Sequence, residues 1–277
     1  MATNPKTIPP RLHVLLAAKS PKALIIRRGP SNRVAAIGWD RKNNTFTTGQ
    51  WLKGRLYPFR CDISPGGAYW IYFAMSEKTG QTYTAIAKPP YLKALDFYIK
   101  GDAWNGGGLF ATPRSYWLND EGTTHHEKQR TTSSLAVLSK WQDEPNHMGE
   151  CPDIYFLRLA RDGWAKQETT KISTHKYTTI FTKPYNDTWQ LRKIFHSGLG
   201  HPKGKSPYYE SHSLYNTKTK AQQDFPDMEW ADIDNNRLLW AENGKIITAR
   251  VSASGLTTPK ILFDTTPMEF EELTAPY

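Results

Sequence analysis

The chain reads as an all-β protein, and three observations carry that reading. Short runs of strand chemistry recur from one end to the other, most of them bounded by Gly, Asn, Asp or Pro. No stretch of fifteen residues keeps an i, i+3, i+4, i+7 apolar stripe free of Gly, Pro or β-branched breaks. Aromatic residues make up 13% of the chain, with Trp spread from position 39 to 240, and large rings suit the faces of packed sheets.

In chain order, strands are expected at 13–18, 23–28, 33–39, 69–75, 83–87, 94–99, 134–139 and 154–159. They continue at 177–182, 191–195, 237–242, 245–251 and 260–263. The turns between them have their own chemistry. Asn43-Asn44, Pro65-Gly66-Gly67, Asp162-Gly163, Asn235-Asn236 and Asn243-Gly244 hold residue types that accept positive φ or start tight turns. Gly106, Gly107 and Gly108 permit a tight turn that lets the chain pass close to a neighbour. Residues 119–133 read as a long inter-strand loop, since strand signals resume at Leu135. No helix longer than two turns is expected.

Composition narrows the classes of function. The longest apolar run, Ala68–Met75, has eight residues, against the roughly 20 that a membrane-spanning helix needs. The Met-Ala-Thr-Asn-Pro-Lys start has no apolar stretch of signal-peptide type. Two cysteines, Cys61 and Cys151, make no disulfide framework and read as buried small hydrophobes. The expectation is a soluble cytoplasmic protein with no membrane partner, no cofactor and one domain over residues 1–277. Lys and Arg number 36 against 26 Asp and Glu, a net charge of +10. That favours a polyanion, either an acidic protein or nucleic acid. The densest basic stretches, at 22–28 and 201–205, are short, and no run of five like charges appears.

A degenerate internal repeat refines the fold. Residues 62–73 (Asp-Ile-Ser-Pro-Gly-Gly-Ala-Tyr-Trp-Ile-Tyr-Phe) and 230–241 (Trp-Ala-Asp-Ile-Asp-Asn-Asn-Arg-Leu-Leu-Trp-Ala) share an acidic residue, a short turn and an apolar strand with a central Trp. Looser copies lie at 38–46 and 150–164. This turn before an aromatic strand resembles the repeat of TolB-like and WD-type β-propellers. The resemblance implies a propeller of about five or six four-stranded blades, with Trp39, Trp70, Trp164, Trp189 and Trp240 packed between blades. With phrases such as Gly49-Gln-Trp-Leu-Lys-Gly-Arg-Leu-Tyr, Arg60-Cys-Asp-Ile-Ser-Pro and Arg158-Leu-Ala-Arg-Asp-Gly-Trp, the whole chain also resembles a group of bacterial proteins, a likeness that brings no activity with it.

Chemistry-bearing motifs are few. Trp117-Leu-Asn-Asp-Glu-Gly and Glu150-Cys-Pro-Asp resemble two boxes of the invertase-like, five-bladed glycoside hydrolases. The resemblance implies Asp120 as nucleophile and Glu150 as general acid, about 5–5.5 Å apart beside an aromatic wall such as Trp117. The boxes stand only 30 residues apart here and Glu121 replaces the Pro of the first, so carbohydrate hydrolysis is the alternative reading. His125, His126, His147 and Cys151, and the pair His196 and His201, lack the paired spacing of zinc ligands, so no metal site is expected. Neither a nucleophile elbow nor a phosphate loop is present.

What remains is a surface reading. Loops are expected to carry Trp51, Lys53 and Arg55; Lys100, Asp102 and Trp104; and Arg158, Arg161 and Asp162. A rim of basic and aromatic side chains suits an acidic protein partner, because Arg and Trp anchor interfaces. The expected function is therefore a non-enzymatic interaction module, a scaffold or an inhibitory partner. Nucleic-acid binding is the further alternative.

Overall fold

The computed structural model describes residues 8–120, 128–142, 150–198, 200–202 and 205–277, and strands dominate it. The residues group into two compact units. One runs to Tyr155 and takes in Thr265–Tyr277; the other is Phe156–Asp264.

In the first unit, β1 (Arg11–Leu16), β2 (Lys22–Arg28), β3 (Arg33–Asp40) and β4 (Thr45–Leu56) form an antiparallel meander. A 3-10 turn at Pro58–Arg60 leads to β5 (Asp62–Ile63), β6 (Trp70–Ser76), β7 (Thr82–Ala87) and β8 (Ala94–Lys100). Here β6 pairs with β5, with β7 and with the last three residues of β4, so the two meanders join. A hairpin of β9 (Gly108–Thr112) and β10 (Ser115–Leu118) follows. Then β11 (Lys128–Thr131) returns antiparallel to β8, and β12 (Ala136–Leu138) runs parallel to β10.

The central strands are continuous apolar runs, as burial of both sheet faces requires. Leu24, Ile25 and Ile26 of β2 and Val34 to Ile37 of β3 are all buried. Trp70 and Tyr72 stack with ring centroids 4.5 Å apart. Their polar tips donate to the Tyr91 and Leu92 carbonyls at 2.8 and 2.6 Å, so each ring is buried without orphaning its donor.

The second unit begins within α1 (Cys151–Arg161). β13 (Ala165–Ser173), β14 (Lys176–Pro184), β15 (Trp189–Gly198), β16 (Tyr208–Asn216) and β17 (Gln222–Phe225) make a five-stranded antiparallel sheet in chain order. β18 (Trp230–Asp234), β19 (Arg237–Glu242) and β20 (Lys245–Ala249) begin a four-stranded one. A small hairpin, β21 (Val251–Ser252) and β22 (Gly255–Leu256), precedes its last strand, β23 (Lys260–Asp264).

The all-β reading holds, and the five tryptophans expected inside are all buried. The expected turns carry positive φ at Asn44, Gly67, Gly163, Asn235, Asn236, Asn243 and Gly244. Three expectations need correction. Residues 154–159 are helix, not strand, and α1 spans 11 residues, more than two turns. Its buried positions are Cys151, Ile154, Tyr155, Arg158 and Leu159, a helical stripe in which Arg158 stands where an apolar residue was sought. Pro152 suits a first turn, Asp153 and Arg161 complement the dipole, and Gly163 at φ 85° ends the helix. Second, the loop expected at 119–133 contains β11; residues 121–127 lie outside the described set. Third, Trp51, Lys53 and Arg55 stand within β4 and Arg158 and Arg161 on α1, not on loops.

Candidate functional site

Residues 101–107, Gly-Asp-Ala-Trp-Asn-Gly-Gly, join β8 to β9. Of the tryptophans among the described residues only Trp104 is exposed, at 68%. The backbone beneath it is tied down from the interior. Arg60 Nη1 donates to the Ala103 carbonyl at 2.7 Å and to the Asn105 carbonyl at 2.8 Å, one on each side of Trp104. Thr82 Oγ1 lies 2.8 Å from the Lys100 carbonyl and 2.5 Å from that of Asp102. The Trp104 N–H donates to Asp102 Oδ1 at 2.8 Å. Asn119 Nδ2 donates to the Gly106 carbonyl at 3.0 Å, and the Gly107 N–H donates to Thr84 Oγ1 at 2.8 Å. Arg60, Thr82, Thr84 and Asn119 are all buried.

The glycines make this anchorage possible. Gly106 and Gly107 adopt φ of 109° and 79°. A Cβ at Gly106 would overlap the Phe73 ring, and one at Gly107 the Arg60 carbonyl. The guanidinium of Arg60 also lies 5.2 Å from the Phe73 ring centroid and donates through Nε to Cys151 Sγ at 3.4 Å. Burial raises the Cys151 thiol pKa, opposed by Arg60. A loop fixed this way has little conformational entropy left to lose when its exposed ring meets a partner.

The remaining expected rim residues are placed as follows. Lys100 is fully buried, not on the rim: β8 turns Asp96, Tyr98 and Lys100 inward. Its Nζ lies 3.2 Å from Asp120 Oδ1 and 3.8 Å from Asp102 Oδ2. Burial lowers the Lys100 pKa, with Asp102 opposing the shift. Lys53 and Arg55 are exposed, and Lys53 pairs with Glu77 at 3.3 Å. Trp51 is half-buried, 5.3 Å from the Arg27 guanidinium. In the second unit Arg158 is buried within α1, where its place on the inward stripe removes it from any rim, and Arg161 binds its neighbour Asp162 at 2.9 Å.

The two carboxyls of the alternative enzyme reading are Asp120 and Glu150. Asp120 is the ion-pair partner of Lys100, and Glu150 immediately precedes α1. Trp117, the expected aromatic wall, is buried, with its ring centroid 6.1 Å from that of Trp141.

A second polar cluster, which no sequence motif announces, lies inside the second unit. Lys193 Nζ donates to Glu210 Oε2 at 3.0 Å and to the Ala231 carbonyl at 3.3 Å, and it lies 3.2 Å from His212 Nε2. His212 Nδ1 faces the Met228 carbonyl at 2.9 Å. That carbonyl requires the proton on Nδ1, leaving Nε2 to accept from Lys193. The ammonium also sits 4.8 Å from the Trp164 ring, whose Nε1 donates to Asp232 Oδ2 at 3.4 Å. Burial lowers the Lys193 pKa against the pull of Glu210, and burial and then Lys193 push the His212 pKa well below its ordinary value. All three groups are buried, so the cluster ties β15, β16 and β18 to one another.

His125, His126 and His147 lie outside the described residues; His196 lies on β15, stacked on Tyr209 with ring centroids 4.4 Å apart. Among the described residues no three His, Cys, Asp or Glu side chains are grouped to hold a metal ion, and no helix is long and apolar enough to cross a membrane. No protein-family model and no curated protein matches the chain. Among solved structures it is similar to Kuenenia stuttgartiensis hydrazine synthase, at 8% identity over 90% of this chain and 79% of that one, with a TM-score of 0.30. A likeness that slight carries no argument.

Proposed function

We propose that the chain is a non-enzymatic interaction module of the cytoplasm that engages an acidic protein segment. Trp104 is its anchor. The observation that supports this is the contrast at one loop: a 68% exposed indole on a backbone held from both sides by Arg60. Exposing a large ring has a cost in solubility, and holding it rigid serves no purpose in a merely solvated loop. The net charge of +10 sets the sign of the partner. In the same proposal the architecture is a β-propeller of five or six blades. Antiparallel meanders of four and five strands, such as β1–β4 and β13–β17, are of blade size.

The test is a photo-crosslinking amino acid placed at Asn105 in the native host, followed by mass spectrometry. The expected result is a discrete adduct with an acidic protein, lost in Trp104→Ala. Adducts with nucleic acid, or an unchanged protein adduct in that variant, would overturn the proposal.

A further inference from the structure

A second basic and aromatic surface lies on the first unit, and it is already covered. The strand register sets Arg27 of β2 opposite Ala35 of β3, and Ala35 opposite Trp51 of β4. This row therefore points to one side, and the small Ala35 leaves room for the Arg27 guanidinium to reach the Trp51 ring. One step along, Arg33 is opposite Lys53. Segment Thr265–Tyr277 lies against this face without joining any sheet; it starts with a turn, closed by the Met268 N–H on the Thr265 carbonyl at 3.2 Å.

The face reads that segment through its backbone and its two rings. Arg27 Nε and Nη2 donate to the Thr265 and Met268 carbonyls at 3.0 and 3.2 Å. Gln50 Nε2 donates to the Leu273 carbonyl at 2.8 Å, while Gln50 Oε1 accepts from the Leu92 and Lys93 N–H groups. The Phe270 ring lies 4.1 Å from the Arg33 guanidinium and 6.1 Å from the Trp51 ring. Tyr277 sits between the Lys88 and Lys93 ammonium groups at 5.0 and 5.4 Å, and its hydroxyl donates to the Lys93 carbonyl at 2.8 Å.

Three features leave room for another occupant to compete. Only Thr265 and Ala275 of the segment are buried, whereas Phe270 and Glu269, Glu271 and Glu272 are exposed. Its carbonyls are met by side chains, not by a strand ladder. The buried Trp51 Nε1 has no acceptor among the described residues, so the segment leaves a donor on the face unsatisfied.

We infer that this face is a docking track for an extended acidic segment with aromatic side chains. Segment 265–277 fills it in cis, and a partner's segment of the same chemistry, bringing an acceptor to Trp51 Nε1, displaces it. The positive charge of Arg27, Arg33 and Lys53 favours an acidic occupant, and the resident segment carries three glutamates, which stay exposed. This goes beyond the Trp104 reading, because it uses a different surface and neither depends on the other.

The experiment uses the full-length chain and a fluorescent synthetic peptide of residues 265–277, with binding read by anisotropy. In a chain carrying Phe270→Ala and Tyr277→Ala the peptide is expected to bind about tenfold more tightly than to the wild-type chain. Adding Arg33→Glu should abolish that gain, and a peptide with its three glutamates changed to Gln should bind several-fold more weakly at low salt. The tenfold gain should persist between wild-type and double-variant chains that both also carry Trp104→Ala, so the gain reports on this face and is separable from the anchor reading. Should the double variant not fold, a protease site inserted between Asp264 and Thr265 and cut after folding gives the same reading: the cut segment exchanges with labelled peptide. Equal peptide binding to wild-type and double-variant chains, or a cut segment that never exchanges, overturns the inference. So does a wild-type chain that is a segment-exchanged dimer, since the occupant is then a second copy.

Discussion

The two units differ in the main use of their buried polar groups. In the first, buried side chains hold backbone: Arg60 holds the Ala103 and Asn105 carbonyls, Asp62 accepts the Phe110 N–H at 2.7 Å, and Asp96 accepts that of Ser133 at 3.1 Å. In the second, Lys193, Glu210 and His212 chiefly hold one another. The difference follows from the local chain. The β8–β9 loop, the edge strand β9 and the β11–β12 loop lack ladder partners there, so their N–H and C=O groups need side chains to satisfy them. β15 and β16 pair along their whole length, and their polar residues are free to build an ionic core. The first arrangement fixes a surface; the second fixes only the interior.

The sharpest test of this contrast is Lys193→Ala. It leaves Glu210 buried without its main cation and should cost about 3–5 kcal/mol by urea denaturation. Replacing both members with apolar residues, Lys193→Met with Glu210→Leu, should cost less than the single change, because no lone charge remains. A double variant as unstable as the single one would mean that the ion pair is not what the interior depends on.

The same cluster shows why part of the molecule was hidden from the sequence. β2, β3, β6 and β19 are apolar runs between good turn residues, and they stand where the pattern puts them. β16, Tyr-Tyr-Glu-Ser-His-Ser-Leu-Tyr-Asn, was missed because its inward residues include Glu210 and His212, so apolar alternation never appears. β8 stands where it is expected, but its inward face is Asp96, Tyr98 and Lys100, which puts Lys100 inside instead of on a loop. Trp104 was legible as an aromatic in a glycine-rich loop. Its anchor Arg60 was not, because it lies more than forty residues earlier in sequence and only the fold brings the two together.

Arg60→Ala tests the other side of the comparison. Two charge-assisted hydrogen bonds to part-buried loop carbonyls are lost, a cost of about 3 kcal/mol. Hydrogen exchange should rise selectively over residues 101–107. Uniform exchange across the first unit would mean that Arg60 supports the core and not the loop.

Acidification separates the units more gently. His212 is neutral in the fold with its pKa pushed down, while in the unfolded chain it titrates near its ordinary value. Below about pH 6.5 the unfolded state binds a proton that the folded state refuses, so stability falls with pH, by up to about 1.4 kcal/mol per unit. The stabilising contribution is complete above that value. His212→Gln should flatten this part of the profile; an unchanged slope would place the acid sensitivity elsewhere.

The smallest effect on stability is expected at Trp104, and that is what gives the substitution its value. The ring is 68% exposed and its backbone is anchored by groups that Ala leaves untouched. Trp104→Ala should therefore shift the unfolding free energy by no more than about 0.5 kcal/mol. If the ring is an interface anchor, the same change should remove about 2 kcal/mol or more of partner affinity, roughly a thirtyfold loss. Arg60→Ala should weaken binding as well, by another route: the ring remains, but the loop must be ordered on contact. The pair of variants thus distinguishes the side chain from its support. A Trp104→Ala chain that loses stability and keeps its partner would make the indole a structural group and return the surface to solvent.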